Sequence, residues 1–263
     1  MASLVARAPV PAAVHPGWPA IPGAVIGGAW VIAVLAQLTG NAGGLHHHAL
    51  IEDGPPQWVA IPLFLVAWLV MIAAMMLPAS LPAVRVVARM SARASRTRLA
   101  MAQFLAAYAA VWTLFGLMAF LGDVAVHHIV DATPWFAARP WLIEASVLML
   151  AGAYQFVPLK GRGLTACRHP AGNVQGGAGI EPSAARLGFR HAVDCVACSW
   201  ALMLLMFAAG FANLAWMAAL TAVMAYETVG RHGRRTASVV GITMLGLAGL
   251  VVLTGWVPGL GAA

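Results

Sequence analysis

From residue 21 onward, long apolar runs alternate with short polar breaks. The runs cover about 21–38, 58–77, 99–121, 141–157, 193–209, 211–227 and 237–256. Each approaches or exceeds the ~18 apolar residues that cross a bilayer as a helix. With no water to satisfy the backbone there, a spanning segment of this kind has to be helical. A soluble core helix would carry a polar face at a period of about 3.6 residues, and these runs lack one. The pattern predicts an all-α fold, a polytopic transmembrane helical bundle of about seven spans forming one domain over 21–257. A Pro- and Ala-rich lead-in, 1–20, precedes it. The first run is too long for the apolar part of a cleaved signal peptide and reads as a signal anchor. Pro78 and Pro158 mark the ends of the second and fourth runs, and 160–190 reads as a Gly-rich loop.

Composition sharpens the class. The chain is 62% hydrophobic and 9% charged, with a mean hydropathy of +0.85, far from the balance of a soluble domain. Its basic residues are sorted. Seven alternating spans put Arg7, the connector from Arg85 to Arg98, the loop from Lys160 to Arg190 and the connector from Arg231 to Arg235 on one side. Only Arg139 falls opposite. By the positive-inside rule the basic side, with the N-terminus, is cytoplasmic, in a multi-pass protein of the cell (inner or plasma) membrane. The net charge of +7 then reports topology and contact with the lipid bilayer. It does not suggest nucleic acid, which would need basic and aromatic residues interleaved on one surface.

Candidate chemistry concentrates between Cys195 and Glu227, in CVACSWALMLLMFAAGFANLAWMAALTAVMAYE. At about 100° per residue, Cys195, Cys198, Ser199, Leu202 and Met206 share one stripe, from which Trp200 points away. On the following run Asn213, Trp216, Met217, Leu220, Met224 and Glu227 share another. Antiparallel pairing of the two would bring the cysteines level with Met224 and Glu227. A Cys-x-x-Cys pair can be a metal half-site, a redox pair, or two small residues buried at a helix start. Cys167, with His169 and His191 nearby in sequence, would complete a three- or four-coordinate site if its loop turned back toward Cys195.

Soft thiolate and thioether donors favour Cu(I), whereas imidazole and carboxylate suit Cu(II), Zn(II) or Ni(II). Met75 on the second run, Met206 and Met224 could line a path for a soft cation, although methionine also fills core gaps. On the opposite side lie His46, His47 and His48, a run with compositional metal affinity, then Glu52, Asp53, His127, His128 and Asp131. A carboxylate at a span end such as Glu227 either pairs with a neighbour like Arg231 or marks function. The expected cargo is a transition-metal ion, copper favoured and zinc the alternative.

Three segments together, WLVMIAAMMLPASLP, AGAYQFVPLKGRGLTACRHP and the Cys195–Glu227 hairpin, resemble the hallmark blocks of a bacterial family of predicted metal-binding integral membrane proteins. The resemblance covers about 58–231 and implies a cysteine-based metal site with copper handling as its role. It also exposes departures. Gly163 stands where the family has a first cysteine before Cys167, Ser199 where it has one beside Cys198, and Thr228 where it has lysine.

No Walker loop, Gly-x-Ser-x-Gly or His-Glu-x-x-His occurs, and GRGLTA follows an apolar run rather than a strand. An enzyme is not expected. A membrane thiol oxidoreductase using Cys195 and Cys198 is the minor alternative. Two main readings remain. One is a metal-binding membrane protein that takes its ion from, or gives it to, a partner protein. The other is a non-catalytic scaffold or assembly subunit with a vestigial site.

Overall fold

The computed structural model describes residues 20–40, 55–92, 97–139, 141–170, 183–209 and 213–255. Every regular element among them is helical. In chain order they are α1 (Ala20–Leu38), α2 (Gln57–Met75), α3 (Leu77–Ala92), α4 (Thr97–Asp131) and the short α5 (Pro134–Ala137), followed by α6 (Trp141–Tyr154), α7 (Pro158–Arg168), α8 (Ala184–Ala209), α9 (Leu214–Val229) and α10 (Gly233–Thr254). The all-helical expectation holds. Five segments are long and apolar enough to cross a membrane, or six if α6 and α7 are one broken span, and α9 is a shorter apolar helix.

Two boundaries differ from the hydropathy reading. The chain does not leave its helix at Pro78. After a single turn residue at Met76, α3 begins at Leu77 and carries Pro78 in its first turn. Proline is tolerated there because the N–H it lacks would have no intrahelical partner. Residues 158–168 are helical as well, bent by 64° from α6, where a loop was expected. Pro158 opens that helix at N1, the same N-terminal tolerance at work.

The bundle is organised around α8, which packs chiefly on α4 and α7 and also meets α6, α3 and α9. Two glycines permit the closest approaches. A Cβ on Gly188 would collide with the backbone oxygen of Phe104, so α4 and α8 touch main chain to main chain. A Cβ on Gly163 would stand 2.8 Å from the Asp194 carbonyl and 3.0 Å from the Cys198 nitrogen, which sets α7 directly against α8. Small residues at helix contacts serve the same purpose wherever apolar solvent gives helices no hydrophobic reason to associate.

The main core gathers Phe64, Trp68, Trp112 and Phe120 with the buried stripes of α8 and α9. Trp68 donates its indole N–H to the Trp112 carbonyl at 2.8 Å. Trp30 of α1 donates to the Ala74 carbonyl at 3.1 Å, tying that mostly exposed helix to α2. A smaller cluster (Ala83, Val84, Val87, Ala88, Met101, Phe104 and Leu187) fills the space between α3, α4 and the start of α8.

Candidate metal centre

The helical stripe read from the sequence is buried as a unit. Cys195, Cys198, Ser199, Leu202 and Met206 are each no more than 4% exposed. Its principal facing partner, however, is not the next helix. Because Gly163 lets α7 lie against α8, Cys167 enters the same layer, and its sulfur stands 3.9 Å from that of Cys198. Cys195 lies one turn before Cys198 on the same buried stripe. All three cysteines are free thiols.

Local geometry turns these thiols inward. Cys195 and Cys198 lie one turn apart on α8, and both the Cys198 thiol (3.2 Å) and the Ser199 hydroxyl (2.7 Å) donate to the Cys195 carbonyl. The Ser199 hydroxyl also lies 3.7 Å from the Met76 sulfur. Tyr108 of α4 brings its hydroxyl to 3.3 Å from the Cys195 sulfur and 3.1 Å from the Ser80 hydroxyl. Ser80 in turn reaches the Met76 carbonyl at 3.0 Å. Met76 joins α2 to α3 in helical conformation, its N–H bonded to the Ile72 carbonyl and its own carbonyl to the Ser80 N–H. Met76 was not among the methionines singled out from the sequence.

Glu227 has a different partner from Arg231, which is exposed. Lys160 of α7 donates to its Oε2 at 2.7 Å, with both side chains no more than 3% exposed. The second oxygen, Oε1, has no hydrogen-bond partner. Arg168, at the other end of α7, donates to the backbone carbonyls of Glu227 (2.8 Å) and Gly230 (2.6 Å). These are carbonyls at the end of α9, where a helix leaves acceptors without intrahelical donors. The short α7 is thus fastened to α9 by Lys160 and Arg168 while Gly163 lies on α8.

The structure therefore brings Cys167, Cys195 and Cys198 together. Met75, Met206 and Met224 are buried in the main core, and Glu227 is committed to Lys160. His46, His47 and His48 lie outside the described residues, and His169 is exposed. Trp200, off the stripe, packs its ring edge against Tyr154, with centroids 4.9 Å apart. Among the described residues, no group of three or more His, Cys, Asp or Glu side chains stands in an arrangement that could hold a metal ion.

Spacing left Met76, Tyr108 and Lys160 out of the site. Tyr108 carried a signal, since a hydroxyl inside an apolar run must find a partner. Lys160 carried one too: its charge next to Pro158 would have been readable had 158–168 been recognised as a helix.

The donor chemistry suits a soft cation. A metal with bonds to sulfur of about 2.3 Å, at trigonal or tetrahedral angles, holds two thiolates roughly 3.8–4.0 Å apart, which is the separation found for Cys167 and Cys198. Thiolates and a thioether select Cu(I) over harder ions. Comparison with curated proteins and with solved structures returns no match. Residues 65–252 match the PpoB2 family, described as a copper chaperone. That segment is more than half of the chain and holds all three cysteines, so this protein belongs to the PpoB2 copper-chaperone family.

Proposed function

We propose that the protein is a multi-pass component of the bacterial inner membrane that binds Cu(I) through Cys167, Cys195 and Cys198 and passes it to a partner protein. The observation that carries this reading is the meeting of three free thiols from two helices in one buried layer, with Met76 beside them. Cu(I) accepts two or three soft donors, so the layer needs no fourth cysteine. Gly163 and Ser199, which occupy positions where the resembling family carries thiols, fit this smaller set. The first allows α7 its close approach, and the second holds its hydroxyl on the Cys195 carbonyl, 3.7 Å from the Met76 sulfur.

Binding converts thiols to thiolates and releases protons, so occupancy rises with pH across the range in which thiols ionise. The charge asymmetry of the connectors supports a cytoplasmic-facing cysteine layer, on the side where thiols stay reduced. The decisive test is anaerobic loading of the detergent-purified protein and of a Cys195→Ser/Cys198→Ser variant with Cu(I), and separately with Zn(II). About one tightly held Cu(I) per chain, lost in the variant, supports the reading. Negligible metal in both would transfer the case to a scaffold with a vestigial site.

A further inference from the structure

Three buried groups form a short hydrogen-bonded chain at the cysteine layer. The Tyr108 hydroxyl of α4 lies 3.1 Å from the Ser80 hydroxyl of α3 and 3.3 Å from the Cys195 sulfur of α8. None of the three residues is more than 3% exposed. Ser80 has a second acceptor within reach, the Met76 carbonyl at 3.0 Å. Phenylalanine would fill the place of Tyr108 beside Phe104 and Trp112 equally well, so packing alone does not call for the hydroxyl.

Each hydroxyl and each thiol has one hydrogen to give, and the chain can therefore run in two opposite directions. In the first, the Cys195 thiol donates to Tyr108, Tyr108 to Ser80, and Ser80 to the Met76 carbonyl. In the second, Ser80 donates to Tyr108 and Tyr108 donates to the Cys195 sulfur. The second does not orphan the Met76 carbonyl, which also accepts the Ser80 backbone N–H at 3.1 Å. Only the first gives the thiol hydrogen a partner, and only the second gives a hydrogen to a sulfur that has lost its own. Buried polar groups without partners are costly, and a hydrogen bond to an ionised acceptor is about twice as strong as a neutral one. Which direction holds thus depends on whether the sulfur carries hydrogen or metal.

We propose that Tyr108 is a positioning residue for Cu(I) at Cys195. With Ser80 behind it, its hydroxyl turns from accepting the thiol hydrogen to donating to the metal-bound sulfur. This rests on the cysteine layer being the Cu(I) site. In the step the S–H bond of Cys195 breaks and a bond from its sulfur to Cu(I) forms. The thiol proton passes to the solution, while the Tyr108 and Ser80 hydrogens only rotate about their C–O bonds. Copper stays Cu(I), so no electrons are exchanged.

Two measurements on the full-length protein in detergent test this. In the first, the three tyrosines carry ¹³C at Cζ, whose resonance responds to the direction of hydrogen bonding at the hydroxyl. Tyr108→Phe identifies the Tyr108 signal by its loss. Anaerobic Cu(I) loading of wild type should move that signal and leave the signal of exposed Tyr226 in place. In Ser80→Ala the Tyr108 hydroxyl has lost its other partner, so its signal should lie toward the loaded position before copper is added. In the second, Tyr108→Phe should bind Cu(I) about tenfold more weakly in chelator competition, the scale of a hydrogen bond to a charged group. An unmoved Tyr108 signal in wild type that has taken up Cu(I) overturns the reversal and leaves the thiol site standing. Unchanged affinity in well-folded Tyr108→Phe overturns the positioning role in the same way. If wild type takes up no Cu(I), the thiol reading itself fails and the reversal fails with it.

Discussion

Cys167 and Cys198 lie 31 residues apart in the chain, yet their sulfurs are 3.9 Å apart because α7 meets α8 across Gly163. Replacing either cysteine with serine keeps the size and a polar group but removes a soft donor. Each single variant should lose at least tenfold in Cu(I) affinity, measured by competition with a Cu(I) chelator. Their Zn(II) affinities should change in step only if the same sulfurs bind both ions. Because all three thiols are buried, labelling by a thiol reagent in the folded protein should be slow and slower still after Cu(I) loading.

Gly163 provides a sharper test, because it touches the site without contributing a donor. In Gly163→Ala the new methyl meets the Asp194 carbonyl and the Cys198 nitrogen, both backbone atoms that cannot yield alone. The helices must separate, at a cost of about 1–3 kcal/mol by analogy with overpacked cores, and Cu(I) affinity should fall as Cys167 moves from Cys198. Gly161→Ala, where nothing lies within 4 Å, is the control. It should be neutral or stabilising by up to about 1 kcal/mol, from helix propensity. Thermal unfolding in detergent and chelator competition read the two effects.

Lys160 and Glu227 form an ion pair away from water. Removing one partner from such a pair leaves an uncompensated buried charge and typically costs about 3–5 kcal/mol, whereas replacing both with apolar residues is often near neutral. Lys160→Met and Glu227→Leu should each lower the unfolding temperature markedly, and the double variant should recover most of the loss. If instead Glu227→Leu alone were as stable as wild type, the pair would not be what holds α7 to α9.

Met76, not Met75, is the methionine whose sulfur meets the polar groups of the layer. Met76→Leu preserves volume and should cost less than about 1.5 kcal/mol of stability, while weakening Cu(I) binding and leaving Zn(II) binding nearly unchanged. Met75→Leu should leave both affinities as they are. Equal effects of the two substitutions would mean that the thioether is packing only.

Hydropathy by itself determined that this chain is a bundle of long apolar helices, because the backbone of such runs has no other way to satisfy its polar groups away from water. The 3.6-residue period was also enough to set Cys195, Cys198, Ser199, Leu202 and Met206 on one buried stripe, since that arrangement depends only on the helix they share. What lies opposite the stripe depends on how helices distant in sequence pack, and periodicity holds no information about that. Lys160 and Cys167 looked like loop residues because the segment around them is short, glycine-rich and charged. Its helix exists because α8 accepts Gly163 and α9 accepts Lys160 and Arg168. Met76 likewise joined the layer through the packing of its helix against α8, which places its sulfur 3.7 Å from the Ser199 hydroxyl.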